Sequence, residues 1–296
     1  MKHMIIRSIH IILCMTGLIL SSCKEEFLEI KPDRAQVVPS SLKDLQALLD
    51  NTGVMNVGMP VLQELGSDNY FSTPEAFQSI RGATERNAYI WAKNLYEGED
   101  GIDWNVMYRQ VFYANMVIEG LEKSSGRERS SKQWEEIKGG ALFYRAWAYN
   151  QLAQMFCKTY DPQTAANDPG IPLRTESDIN LASKRATVKE TYDQIISDLE
   201  TSIALLPNEV PLKTRPSKAA AEALLSRTYL HMAEYGKAKE HALKAIQLYS
   251  AIIDFNSLNP SASYPIPRFN EEVIFHASMA NSGNFSSSRL NVDSTL

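Results

Sequence analysis

Residues 217–249 decide the fold, and they read SKAAAEALLSRTYLHMAEYGKAKEHALKAIQLY. Small and apolar side chains recur every three or four residues on both sides of Tyr235 and Gly236, the spacing that places side chains on one face of a helix. They are Ala220, Ala221, Leu224, Leu225, Tyr229 and Met232 before the turn, and Ala238, Ala242, Ala245, Ile246 and Tyr249 after it. The pattern predicts two helices, the first opened by Ser217, that form a hairpin.

This hairpin resembles a tetratricopeptide repeat. Ala238 and Ala245 lie seven residues apart, where their small size lets two helix axes come close, and the Tyr-Gly pair supplies the turn. A generic helical hairpin fits the same short pattern. Residues 141–156 and 187–206 look like an earlier pair, with a long insertion where the tight turn would be. Because such units bury their apolar faces against neighbours, we predict a stack of helix pairs.

The helix that starts at Thr187 has a clear start and a clear stop. Thr187 and Glu190 form a capping box, in which a hydroxyl and a carboxylate each accept a backbone N–H at the helix start. An apolar face then continues as far as Pro207, which lacks the N–H needed to extend the helix.

Helical spacing upstream predicts a short helix from Leu42 and two long helices, over residues 104–121 and 134–156. Arg145 lies within the apolar stripe of the second long helix, so we expect it to be paired. Glycines, prolines and polar clusters predict loops with short helices over residues 52–101. Beyond Asp254 the chain is rich in Asn, Pro and Ser, with a strand-like stretch, Val273-Ile274-Phe275.

The N-terminus predicts export and lipidation. Lys2 and Arg7 precede a dozen mostly apolar residues, fewer than the roughly 20 that span a bilayer. Leu20-Ser21-Ser22-Cys23 resembles the bacterial lipobox, so we expect residues 1–22 to be a removed signal peptide and Cys23 to carry lipid. Lys24-Glu25-Glu26 resembles a signal for the outer face of the outer membrane, although a solvated tether would have the same composition. The expected divisions are a tether at 23–40 and a helical region at 41–296.

Composition excludes several functional classes. Loss of Lys2 and Arg7 with the leader changes the formal charge from −5 to −7. A chain with this negative charge is not expected to bind nucleic acid. Cys157 would be the one thiol left after removal of Cys14 and lipidation of Cys23, so no internal disulfide is expected. No phosphate loop, nucleophile elbow or His-Glu-x-x-His zinc spacing is present. We therefore predict no metal centre and no cofactor, while an enzyme of an unfamiliar type is not excluded by these absences.

Aromatic and polar residues before and at the start of residues 104–121 are the candidate ligand site. Flat sugar faces stack on aromatic rings, and sugar hydroxyls bond to Asn, Asp or Arg side chains. The candidates are Asp68, Asn69, Arg81, Trp91, Tyr96, Trp104 and Asn105. Core packing is the alternative for the aromatic members, above all for Trp104, which begins an apolar helix face.

Together these features resemble the SusD-like (RagB/SusD) nutrient-binding lipoproteins of the outer membrane. The motifs occur in the same order over nearly the whole chain. Besides Cys23, they are WNVMYRQVFYANMVIE (104–119), RAWAY (145–149), GIPL (170–173), the helix of 187–207, RPSK (215–218) and NEEVIF (270–275).

The resemblance implies an all-α, SusD-like fold with tetratricopeptide-like helix pairs and long irregular loops. It further implies a non-catalytic surface lipoprotein, anchored in the outer membrane, that binds glycans or other nutrients and delivers them to a SusC-like TonB-dependent transporter. Family members are generally longer, so we expect this chain to correspond to their N-terminal half. The alternative function is a lipid-anchored tetratricopeptide adaptor that joins proteins in the cell envelope, because the helix hairpin alone fits it equally well.

Overall fold

Helices dominate the architecture. The computed structural model describes residues 39, 41–280, 284–286 and 288–293, so the predicted leader, Cys23 and the tether lie outside the described residues, apart from Pro39. The helices are α1 (Leu42–Leu49), α2 (Thr52–Met55), α3 (Leu62–Leu65), α4 (Pro74–Gln78), α5 (Ala83–Tyr89), α6 (Ile102–Glu122), α7 (Gly126–Arg129), α8 (Lys132–Phe156), α9 (Val188–Leu205), α10 (Lys218–His231) and α11 (Tyr235–Leu248). The all-α prediction is confirmed.

The described part of the chain also contains three small sheets of two strands each. The strands are β1 (Val57–Met59), β2 (Tyr70–Phe71), β3 (Pro169–Pro172), β4 (Arg185–Thr187), β5 (Ser278–Met279) and β6 (Asn291–Val292). β1 pairs with β5 in parallel, whereas β2 pairs with β6 and β3 with β4 in antiparallel fashion. A short 3₁₀ helix covers Phe255–Ser257.

α8 is the central helix of the scaffold. It packs against α6 on one side and α9 on the other, α9 packs on α10, and α10 pairs with α11. α8 approaches the end of α9 closely at Gly139, where an added Cβ would lie 3.1 Å from side-chain atoms of Leu205 and of Leu206, the residue after α9. Ser202 donates a hydrogen bond of 2.8 Å to the Gly139 carbonyl at the same crossing. The predicted succession of helix pairs is therefore confirmed for α8 with α9 and for α10 with α11.

The predicted helix boundaries follow the local chemistry. At the start of α9, Thr187 accepts the Glu190 N–H at 3.1 Å and Glu190 accepts the Thr187 N–H at 2.8 Å, which confirms the capping box. Ser217 caps α10 in the predicted place. In the hairpin, Ala238 and Ala245 are both buried, as their small size led us to expect.

The strand prediction for Val273-Ile274-Phe275 is wrong. These residues form bends, and the nearby strand is β5, which starts three residues later. The Phe275 ring instead packs edge-on against Phe143 at 4.9 Å and Trp147 at 5.5 Å. Ile274 and Phe275 thus pack against the core and take no part in sheet pairing.

The search for membrane-spanning helices covered the described residues, and none of their helices combines the length and apolar character needed to cross a bilayer.

Candidate functional site

Trp91 is a fixed and exposed aromatic side chain. It follows the C-terminus of α5 with a left-handed backbone, φ +54°, a conformation that non-glycine residues adopt only at a cost of about 1–2 kcal/mol. Its side chain is 82% exposed. The indole Nε1–H nevertheless donates to the Gly66 carbonyl at 2.9 Å. One edge of the ring is therefore held by a hydrogen bond while most of the residue stays exposed to solvent, and stacking on a sugar requires such an exposed aromatic ring.

The indole hydrogen bond places Trp91 beside the turn formed by residues 66–69. Asp68 is exposed at this turn, and the Asn69 amide donates to the Glu64 carboxylate at 3.2 Å. The Asn69 carbonyl accepts the Asp293 N–H at 2.9 Å, which links the turn to the end of β6. The structure thus brings three predicted ligand residues, Trp91, Asp68 and Asn69, to one part of the surface. Their carboxylate and amide groups are suitable partners for hydroxyls.

Two further candidates are exposed but are not joined to this group by any contact described. Arg81 precedes α5, and its carbonyl accepts a hydrogen bond from Arg86. Asn105 lies in the first turn of α6 with its side chain exposed. Both remain predictions as ligand contacts.

Tyr96 and Trp104 belong to a separate aromatic cluster that is centred on Phe156. The Tyr96 ring stacks on Phe156 at 6.4 Å, and Trp104 meets the same ring edge-on at 4.9 Å. The Tyr96 hydroxyl is buried, and burial, aided by the charge of Asp103, raises the pKa of Tyr96 to about 12. The buried hydroxyl and the stacking on Phe156 give Tyr96 a packing role, whereas Trp91 is exposed.

Trp104 also lines a cavity that we call the aromatic groove. Its floor is one face of α6, with Trp104, Tyr108 and Phe112. Its wall is the end of β3, at Pro172, and the loop that follows, with Glu176 and Ile179. The cavity volume is about 510 Å³, within the range of small-molecule sites. Rings at positions i, i+4 and i+8 of a helix follow each other at a rise of about 6 Å.

A buried polar network fixes the wall of the groove. Arg145 forms the predicted ion pair, with two hydrogen bonds of 2.7 Å to the Asp198 carboxylate. Its remaining guanidinium nitrogen Nη1 donates to the Asn115 Oδ1 atom at 3.0 Å. The Asn115 amide then donates to the loop carbonyls of Arg174 at 2.8 Å and Glu176 at 3.1 Å. Arg145, the charged residue in the apolar stripe of α8, thereby holds the loop in place through Asn115.

The structure offers little chemistry for catalysis. Cys157 is half-buried, and burial raises the pKa of its thiol, which disfavours the reactive thiolate. In the part of the chain that is described, no group of three or more His, Cys, Asp or Glu side chains is placed to hold a metal ion. Binding by stacking and hydrogen bonding is what the exposed side chains support.

Residues 26–230 match the SusD-like family that is described as starch-binding and associating with the outer membrane. This match covers more than half of the 296 residues. The chain belongs to the SusD-like family. SusD-like proteins bind carbohydrate and are not catalytic, in agreement with the sequence prediction.

Individual relatives agree with this assignment. SusD-like protein P2 of Formosa agariphila is 29% identical over 139 residues, which cover 47% of this chain and 25% of the relative. A candidate sugar-binding protein from Bacteroides vulgatus has a solved structure with a TM-score of 0.62 and 27% identity, covering 72% of this chain and 47% of that one. A laminarin-binding SusD-like protein superposes with a TM-score of 0.55 at 22% identity, covering 72% and 46%. The chain therefore spans about half the length of the solved SusD-like structures.

Sequence reasoning missed the wall of the groove. Glu176 and Ile179 lie in an insertion with no periodicity, so no pattern in their identity indicated a role. Tyr108 and Phe112 were noticed only as parts of an apolar helix face. Asn115, a polar residue on the same face, was the one signal that could have indicated a contact with the loop.

Proposed function

We propose that this SusD-like protein is a lipid-anchored surface protein that captures glycans and delivers them to a SusC-like TonB-dependent transporter in the outer membrane. The observation that carries the glycan proposal is Trp91, which is 82% exposed yet oriented by the Gly66 carbonyl. An oriented aromatic ring loses little freedom on binding, so stacking contributes more of its energy to affinity. The laminarin-binding relative and the starch-binding description of the family support a carbohydrate ligand.

The glycan proposal is tested by replacing Trp91. Binding of the full chain to an array of glycans that includes starch and laminarin is measured, followed by calorimetry on the glycans retained. Trp91→Ala is expected to lower affinity about tenfold, which corresponds to about 1.4 kcal/mol of stacking. The matched control is Tyr235→Ala, because Tyr235 is an aromatic residue that is 68% exposed on the hairpin. Equal loss in both variants, or none in either, would contradict the assignment of Trp91.

Partner and anchor need separate experiments. Affinity purification of the tagged protein from solubilised outer membranes is expected to recover a large β-barrel transporter. Recovery of envelope proteins without a barrel would instead favour the adaptor function.

The lipid anchor is tested by metabolic labelling with palmitate, which is expected to mark the wild-type protein and not Cys23→Ala. Equal labelling of the two would refute the lipid anchor at Cys23.

A further inference from the structure

The β3–β4 loop has its carbonyl groups turned toward its own protein. The Pro172 carbonyl accepts the Tyr108 hydroxyl at 2.7 Å. The Arg174 carbonyl accepts Asn115 at 2.8 Å and the Tyr149 hydroxyl at 2.5 Å, and the Glu176 carbonyl accepts Asn115 at 3.1 Å. Because these acceptors are already used, a peptide cannot pair with this stretch of the loop through main-chain hydrogen bonds as an added strand would.

The one cation of the groove wall is also used internally. The Arg174 guanidinium donates to the Leu181 carbonyl at 2.6 Å, to the Ser183 hydroxyl at 2.8 Å and to the Asp178 carbonyl. Glu176 is exposed at the rim and carries the opposite charge. Among the described residues that line the groove, the positive charge of Arg174 is offset by the Glu176 carboxylate, and the Arg174 guanidinium already donates within the loop. The electrostatics of the groove fit an uncharged ligand.

The aromatic groove presents a row of aromatic rings and an exposed apolar wall to a ligand. Trp104 and Tyr108 are in contact, with ring centroids 4.7 Å apart, and Phe112 continues the row by one helical turn. Ile179 is 77% exposed on the opposite side. A row of rings with a regular rise matches a polymer whose flat units repeat along a line, and a rim with Glu176 and Ser183 can bond to hydroxyls.

We propose that the aromatic groove is a second carbohydrate site, which takes an uncharged linear glycan along Trp104, Tyr108 and Phe112. This inference rests on the proposed function, in which Trp91 binds glycan at the surface. A glycan that reaches both sites binds more tightly than one that reaches only Trp91, since the second contact forms at a high effective concentration. Affinity should therefore rise with chain length, and the groove should account for that rise.

The two sites are read separately by NMR of the indole groups in full-length protein labelled with nitrogen-15 on tryptophan. Trp91→Phe and Trp104→Phe assign the two signals. The probes are short and long laminarin oligosaccharides and the corresponding maltose series, with an uncharged apolar peptide as the competing ligand class. Long glycans are expected to shift the indole signals of both Trp91 and Trp104. Short glycans are expected to shift the Trp91 signal more than the Trp104 signal.

The decisive variant removes a ring from the groove. Phe112→Ala is expected to lower affinity for long glycans about tenfold and to suppress the Trp104 shift, with folding checked by circular dichroism. Phe255→Ala is the matched control, because Phe255 is 65% exposed outside the groove, and it should change neither. Ile179→Ala, which removes the exposed apolar side chain of the wall, should weaken binding of long glycans in the same direction.

The outcomes distinguish this inference from the proposed function. A shift of Trp91 alone, with long-glycan affinity unchanged in Phe112→Ala, would overturn the second site and leave the proposed function standing. A Trp104 shift with the peptide and none with glycans would also overturn it. No shift of either signal with any glycan would refute the proposed function, and the second site with it.

Discussion

Asn115→Ala should destabilise the protein because Asn115 joins the buried Arg145 to the loop that walls the aromatic groove. The substitution removes three hydrogen bonds, one from the Arg145 guanidinium at 3.0 Å and two to loop carbonyls at 2.8 and 3.1 Å. A bond to a charged group contributes about 1.5–3 kcal/mol and each of the others about 1 kcal/mol. The loop carbonyls are only partly buried, so water replaces some of their bonding, and we expect a net loss of about 3 kcal/mol.

This loss is measured as the free energy of unfolding from urea titrations followed by circular dichroism, and as a fall in Tm of about 6–12 °C. Arg109→Ala is the control, because Arg109 is exposed on the same helix and its replacement should stay within about 0.5 kcal/mol. A loss below about 1 kcal/mol for Asn115→Ala, close to that of the control, would refute the view that Asn115 holds the loop.

Three further predictions concern the scaffold. Gly139→Ala should lower the free energy of unfolding, measured by urea titration, by about 1–3 kcal/mol because its Cβ would press on Leu206. Gly126→Ala is the control and should be neutral, because its Cβ meets open space. Equal effects of the two substitutions would contradict the close crossing of the helices. Thr187→Ala should cost about 1 kcal/mol through loss of the N-cap, seen as a lower Tm in a thermal scan, and an unchanged Tm would argue against the capping box. Burial raises the pKa of Asp103 above its ordinary value of 3.8, so the folded state holds this proton more tightly than the unfolded state. The contribution of Asp103 to stability is therefore largest below pH 3.8 and declines as the pH rises through the folded pKa. Asp103→Asn should remove that decline in urea titrations at several pH values, and an identical pH profile would contradict it.

The scaffold was predictable from sequence because its signals are local. The capping box at Thr187 and Glu190 and the stop at Pro207 define α9 within a few residues of chain, and apolar spacing defines the other long helices. Arg145 could be expected to have a partner because an unpaired buried charge is costly. The identity of that partner, Asp198, depends on how α8 and α9 cross, which no local pattern encodes.

The candidate site was predictable only in part. The sequence around Trp91 indicates a ligand residue, but neither its exposure nor the left-handed backbone at the end of α5 is encoded in that pattern. Tyr96 had the same composition around it, yet its ring is covered by Phe156, which is far away along the chain. The carbonyl groups that hold the groove wall belong to the backbone, so their direction cannot be predicted from the identity of the residues. Exposure and main-chain direction are properties of the folded chain.

The most direct test of glycan capture is a crystal structure of the full chain with an oligosaccharide that the array selects. The account predicts a sugar ring stacked on the Trp91 indole, with hydroxyls bonded to Asp68 or Asn69. A sugar bound elsewhere, with both faces of Trp91 bare, would contradict it.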